Sequence, residues 1–375
     1  MALRGHKSGL ACFPNVLFPY KCVVMRQDSK FQIFFPGIND RPNESGEHWS
    51  IGIHRSFQNA YARSQAASNL VKPMPQIALM VVESNKPNAH ASKADDGYTI
   101  MLNSALHALM SGLFRTMLAH PKTFQSIGDP SQENHPTEKG PKSLDDLVQN
   151  ITRFGDRRPV DPVRLAFADH LTELTLRFVI EHEIAHILAG HLDYRPGLSK
   201  IHEIYDQAFA GEVESFGLEM HADEIAFLNC FYWTLDSISG KEEVLPKLVF
   251  IETVDAQVHD LYVATYALFQ LFSHLSMSIT HPNPLHRQIR LGMILNWVCV
   301  KLELSLINKP INLVGQALNL FNDYMEIVFQ LNWSDRRQES DHILSCGMDD
   351  EIAPYSELVT SMYPALRPHS FLRLE

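Results

Sequence analysis

Apolar positions along this chain change period from two to three-and-four, and the changes mark its elements. "IALMVVES", residues 77–84, is a short apolar run preceded by Pro73 and Pro75 and followed by Pro87, which predicts a strand. A second strand is predicted from Tyr98 in "GYTIMLNSAL". The segment between them, "NKPNAHASKADDG", is polar and closes on the turn signal Asp96-Gly97. From Ser104 the period is helical, with Leu106, Leu109, Leu113 and Met117 on one face. Residues 121–161 interrupt the pattern with Pro, Gly, Ser and charge, and read as a polar insertion, mobile and dispensable for folding. Asp161-Pro162 then opens a long helix, aspartate capping free N–H groups and proline tolerated in the first turn. Gly190 and Pro196 mark its end. Further helices are predicted over 211–234, over 261–280 and from Asn283-Pro284. The pattern divides the chain into an N-terminal region 1–76, a central domain 77–330, and a polar, proline-bearing tail 331–375; neither terminal region receives a role.

Composition narrows the class. Of 375 residues, 45% are hydrophobic and 20% charged, as in a folded globular protein. A net charge of −11 with no block of Lys and Arg excludes bulk phosphate neutralisation, so no nucleic-acid partner is expected. The five cysteines, Cys12, Cys22, Cys230, Cys299 and Cys346, include no C-x-x-C pair, which predicts a reducing, cytoplasmic setting. The N-terminal apolar run is broken by Pro14 and Pro19, unlike a signal peptide. Leu261 to His286 carries no Asp, Glu, Lys or Arg but holds Thr265, Gln270, Ser273, His274, Ser276 and Ser278. That mixture fits a buried core helix rather than a membrane span. Oligomeric state leaves no trace in the sequence.

The candidate chemistry lies in "FVIEHEIAHILAGHLDY", residues 178–194. On a helix, His182 and His186 point the same way and can present two imidazole nitrogens to one metal ion. Zinc suits imidazole, and a catalytic zinc keeps three protein ligands and one position for water. Glu183, about 100° around the helix from His182, can reach that water as a general base. The plain alternative is a partly buried helix with incidental polar residues, and 19 histidines make chance matches easier.

A third ligand is needed. One on the same helix would require histidine at 192 and glycine at 189, where Leu192 and Ala189 stand. "GLEMHADEIAF" offers Glu219 and Asp223, four apart and on one face. Glu219 can ligate, and Asp223 can accept from the free ring nitrogen of a ligand histidine. His221 is a rival ligand that points about 200° away from Glu219, and a solvated acidic face is the plain reading of the segment. In "ITHPNPLHRQIRL", His281 and Arg287 could donate to the oxyanion of a tetrahedral intermediate; alone, the segment is an ordinary helix start.

Taken together, HExxH, then Glu219-x-x-Ala-Asp, then His281-Pro with Arg287 six residues on, resemble the gluzincin metallopeptidases, and in order and spacing the CAAX prenyl endopeptidase and HtpX-like group. His191, five after His186, matches that group's extra histidine. "PNAHASKADDGYTIMLNSAL" is similar to the group's segment before the active helix, an Asn-Ala turn followed by an edge strand and helix. The resemblance covers about residues 77–291, with the polar insertion as a departure. It implies an α+β fold: a mainly helical zincin-like core with a small sheet whose edge strand borders the cleft. It implies one Zn2+ per chain on His182, His186 and Glu219, with Asp223 and His191 as their outer partners. Glu183, His281 and Arg287 would be catalytic, and Asn88, Ala89 and His90 would bind an extended protein or peptide substrate by backbone pairing. Those families carry transmembrane helices and this chain shows none, so a membrane partner is not expected. The motif is also similar to the Lit-type phage-exclusion peptidases, which would imply an intracellular protein substrate. An inactive binding protein of the same fold, a membrane-associated protease and a zinc hydrolase of a non-peptide bond are the other readings.

Overall fold

The computed structural model describes residues 49–67, 69–84, 86–133, 158–194, 212–238, 253–275, 284–302, 308–329, 360, 363–364 and 366–374. Helix α1 (Trp49–Gln65) precedes a three-stranded sheet of β1 (Ile77–Val82), β2 (Ala89–Ala94) and β3 (Gly97–Asn103). Among the described residues seven further α-helices follow: α2 (Ser104–Leu118), α3 (Pro162–Leu188), the short α4 (His191–Tyr194), α5 (Glu212–Ile238), α6 (Val254–Leu275), α7 (Pro284–Lys301) and α8 (Pro310–Phe329). The architecture is α+β and mostly helical, as expected.

In the sheet the order is β1-β3-β2, with β3 parallel to β1 and antiparallel to β2. Tyr98, Ile100 and Leu102 alternate into the core. The polar segment read from sequence as a link therefore holds a strand of its own. Its Ala89, His90 and Ala91 are buried, and the strand lies at the sheet's edge against α3. Small and polar side chains hid it, because a strand signal rests on β-branched and aromatic residues. Gly97 begins β3 where any Cβ would meet the Gln76 carbonyl oxygen at 2.5 Å.

Helix α3 is the axis of the molecule. It packs against α1, α2, α5, α6 and β2, and every residue from Leu176 to Leu188 is buried. A helix covered on all sides carries no amphipathic stripe, so polar residues along it need partners. Asp161 caps it by accepting from the Arg164 N–H at 2.8 Å. On α6 the run Leu261–Phe272 is buried throughout, and no helix among the described residues is long and apolar enough to cross a membrane.

The insertion expected at 121–161 does not begin at 121. Residues 121–133 wrap around the fully buried guanidinium of Arg164, which donates to the carbonyls of Leu118, His120, Thr123, Phe124 and Ile127 at 2.8–3.0 Å. Glu133 accepts from the Val160 and Asp161 N–H groups and stands 3.5 Å from Arg164 Nε. The partners are main-chain carbonyls, so a side-chain pattern could not reveal them. Residues 134–157 of that insertion lie outside the described residues.

The boundaries expected at 76/77 and 330/331 run through one core. Ile53, Phe57 and Ala60 of α1 belong to it, and so do Leu366, Leu372 and Leu374 near the chain end. Leu372 pairs antiparallel with Leu70. The Phe371 N–H and the Ser370 hydroxyl both donate to the Leu188 carbonyl, at 2.7 and 3.1 Å. A helix leaves its last carbonyls unsatisfied, and here the far end of the chain takes one of them. Gly190, at φ +80°, lets this happen, because a Cβ would meet the His369 backbone at 2.5 Å.

Candidate metal centre

The last turns of α3 bring His182 and His186 onto one face, with their Nε2 atoms 3.0 Å apart. Helix α5 packs alongside and delivers Glu219: Oε2 lies 3.2 Å from His182 Nε2 and Oε1 lies 3.4 Å from His186 Nε2. All three side chains are buried, and their ligand atoms lie within 4.8 Å of one another. The set fits zinc. Bonds of ~2.0–2.1 Å at a tetrahedral angle put neighbouring donors about 3.3 Å apart, which is the spacing found. Two imidazole nitrogens facing at 3.0 Å repel through their lone pairs unless a proton or a cation stands between them. Glu219 Oε2 is buried with no hydrogen bond, although it lies near His182, and a buried carboxylate oxygen in that state calls for a cation. Burial pushes the Glu219 carboxyl up, but His186 and His182 overcome it and hold the group well below its ordinary value.

The two histidines are backed differently. His182 Nδ1 lies 3.0 Å from Asp223 Oδ1. Asp223 is gripped in turn by Arg287 of α7, whose Nε and one terminal nitrogen each donate at 2.7 Å. The guanidinium also lies 3.9 Å over the Phe269 ring. Burial works against the Asp223 charge, but Arg287 and His182 hold its carboxyl below the ordinary value. His186 Nδ1 instead meets His191 Nδ1 at 2.9 Å, and His191 Nε2 meets His221 Nδ1 at 3.1 Å. Burial and the neighbouring histidines push His191 well below its ordinary value. Burial, His186 and Arg290 bring His221 down to about 4. Both rings are therefore neutral near pH 7.

Glu183 is buried beside His182. Glu219, and not the rival His221, faces the Nε2 atoms of His182 and His186. Arg287, expected at the oxyanion, donates through Nε and one terminal nitrogen to Asp223, because the guanidinium fork matches a carboxylate at two points. His281 lies outside the described residues. Asn88 is buried just before β2, its carbonyl accepting from the Asn103 N–H at 2.9 Å. Ala89 and His90 begin the edge strand, opposite Leu102 and Met101.

Sequence reasoning missed Tyr363, whose ring lies 5.3 Å from that of His221. It also missed Asp193, which accepts from Lys93 Nζ and the Tyr98 hydroxyl, both at 2.5 Å. Asp193 ties α4 to the sheet. No spacing signal links Tyr363 to the motif, and the partners of Asp193, which lies within the quoted stretch, meet it only in the fold.

The family model of Peptidase family M48 matches residues 54–291. No curated protein and no solved structure matches the chain.

Proposed function

The chain belongs to peptidase family M48, and from that premise we propose that it is a zinc-dependent endopeptidase acting on an intracellular protein. The observation that carries the reading is the buried convergence of His182, His186 and Glu219, with a glutamate directly after the first histidine. When bound, zinc supplies a Lewis acid and brings a water's pKa toward ~7.

The chain's own groups do the rest. His182 and His186 offer Nε2 and Glu219 a carboxylate oxygen. Asp223 Oδ1, 3.0 Å from His182 Nδ1, is placed to accept its proton, fixing the tautomer that leaves Nε2 free to ligate. Arg287 holds Asp223 in place. Glu183 takes the proton of the attacking water and returns it to the leaving amine. The edge strand β2, with Asn88 just before it and Ala89 and His90 at its start, offers backbone groups to an extended peptide alongside the helix. His281 is assigned to the oxyanion as a donor. The buried free thiols Cys230 and Cys299 support a reducing, cytoplasmic setting.

The test is a bacterial lysate incubated with the parent protein, with the parent plus chelator, and with Glu183→Gln, followed by sequencing of new peptide termini. New termini should form with the parent alone. Equal cleavage by Glu183→Gln would overturn the role of that residue, and equal cleavage under chelation would overturn the metal's.

A further inference from the structure

The chain end reaches the metal centre from outside the family-matched span, and its contacts converge on one ligand. A histidine that ligates through Nε2 must carry its proton on Nδ1 and donate it. For His186 the partner at that nitrogen is His191 Nδ1, 2.9 Å away. His191 then accepts on Nδ1 and carries its own proton on Nε2, which faces His221 Nδ1 at 3.1 Å. His221 in turn holds its proton on Nε2. Each ring's tautomer is set by its inner neighbour, so a single arrangement runs from ligand to outermost ring.

The arrangement is only as fixed as its last member. His221 sits between the His191 ring, 5.2 Å away, and the half-buried Tyr363 ring, 5.3 Å away. The residues C-terminal to Tyr363 anchor it. Leu366 is buried, and the Arg367 N–H donates to the Tyr363 carbonyl at 2.9 Å. Ser370 and Phe371 then bind the Leu188 carbonyl, two residues beyond His186 on the same helix. The chain end thus holds α3 at its terminal carbonyl and again through the histidine ladder.

We propose that Tyr363, anchored by residues 366–374, is a positioning residue of the metal centre: it holds His221 and His191 so that His186 presents Nε2 to the metal. The inference rests on His186 being a ligand. Loss of an outer partner of a metal ligand typically weakens metal binding about 10–100-fold.

The full-length protein loaded with zinc provides the test. Zinc release to a chromophoric chelator is timed for the parent, Tyr363→Ala and Tyr363→Phe, and the unfolding midpoint of each protein is recorded both metal-free and zinc-loaded. Tyr363→Ala should release zinc about 10-fold faster, Tyr363→Phe should stay close to the parent, and the midpoint of Tyr363→Ala should fall further in the zinc-loaded protein than in the metal-free one. Release from Tyr363→Ala at the parental rate would overturn the proposal. So would a fall in its metal-free midpoint as large as the fall in the zinc-loaded one, which marks general packing rather than positioning. A parent that binds no zinc would overturn the ligand assignment and this inference with it.

Discussion

The two histidines of the candidate metal centre, His182 and His186, stand one helical turn apart and are held by opposite kinds of chemistry. Behind His182 is a charged pair, Asp223 gripped at two points by a buried Arg287. Behind His186 is a neutral ladder of two imidazoles closed by a tyrosine. A buried ion pair depends on both partners, because removing one leaves an uncompensated charge in a dry interior. A neutral ladder leaves only an unmet hydrogen bond when broken, a far smaller penalty. The His182 side is therefore coupled to the stability of the whole helical core, whereas the His186 side governs how well one ring is aimed.

The sharpest way to break the comparison is Asp223→Ala. It removes the backing of His182 and strands Arg287, and a buried pair broken in this way costs ~3–5 kcal/mol. Urea unfolding should show a loss of that size, with zinc content falling alongside. A loss below ~1 kcal/mol would mean that water reaches the pair. Next in size is Gly190→Ala. A left-handed backbone costs a non-glycine residue ~1–2 kcal/mol, and the added Cβ would press on the His369 backbone at 2.5 Å. Stability measured by thermal unfolding should fall by more than the strain alone. His191→Phe keeps a ring in the ladder but removes its nitrogens. Zinc affinity should drop about 10-fold, while the metal-free protein keeps most of its stability.

The smallest effect concerns the tie between α4 and the sheet. Burial raises the Asp193 carboxyl, but the bonds from Lys93 and Tyr98 bring it below its ordinary value of 3.8. With the folded pKa below the unfolded one, the native state binds fewer protons than the unfolded state across this range. Its contribution is present above pH 3.8 and lost as pH drops through the folded pKa. Lys93 is largely exposed, so solvent screening limits the contribution to about 1 kcal/mol or less. Unfolding followed between pH 5 and pH 2 should show a slightly shallower fall for Asp193→Asn than for the parent.

The His182 side was the more legible half in sequence. The i, i+4 spacing of His182 and His186, and of Glu219 and Asp223, sets two faces that helices α3 and α5 bring together. Arg287 was found but its partner was not: spacing places a cation near a site without saying which carboxylate it meets. The ladder was harder to see. His221 was weighed only as a rival ligand, because its link to His191 joins two helices, and Tyr363 sits in a tail with no periodic signal. Main-chain partners were invisible throughout. The carbonyls around Arg164 and the Leu188 carbonyl bound by Ser370 leave no mark in a pattern of side chains, and the alanine-rich β2 offered none of the residues that announce a strand.

The most direct measurement is anomalous diffraction at the zinc edge from crystals of the zinc-loaded protein. One peak per chain is expected, at ~2.0–2.2 Å from His182 Nε2, His186 Nε2 and a Glu219 carboxylate oxygen, with His191 and His221 contributing no ligand. A peak bonded to His191 or His221, or none between the two histidines of α3, would contradict it.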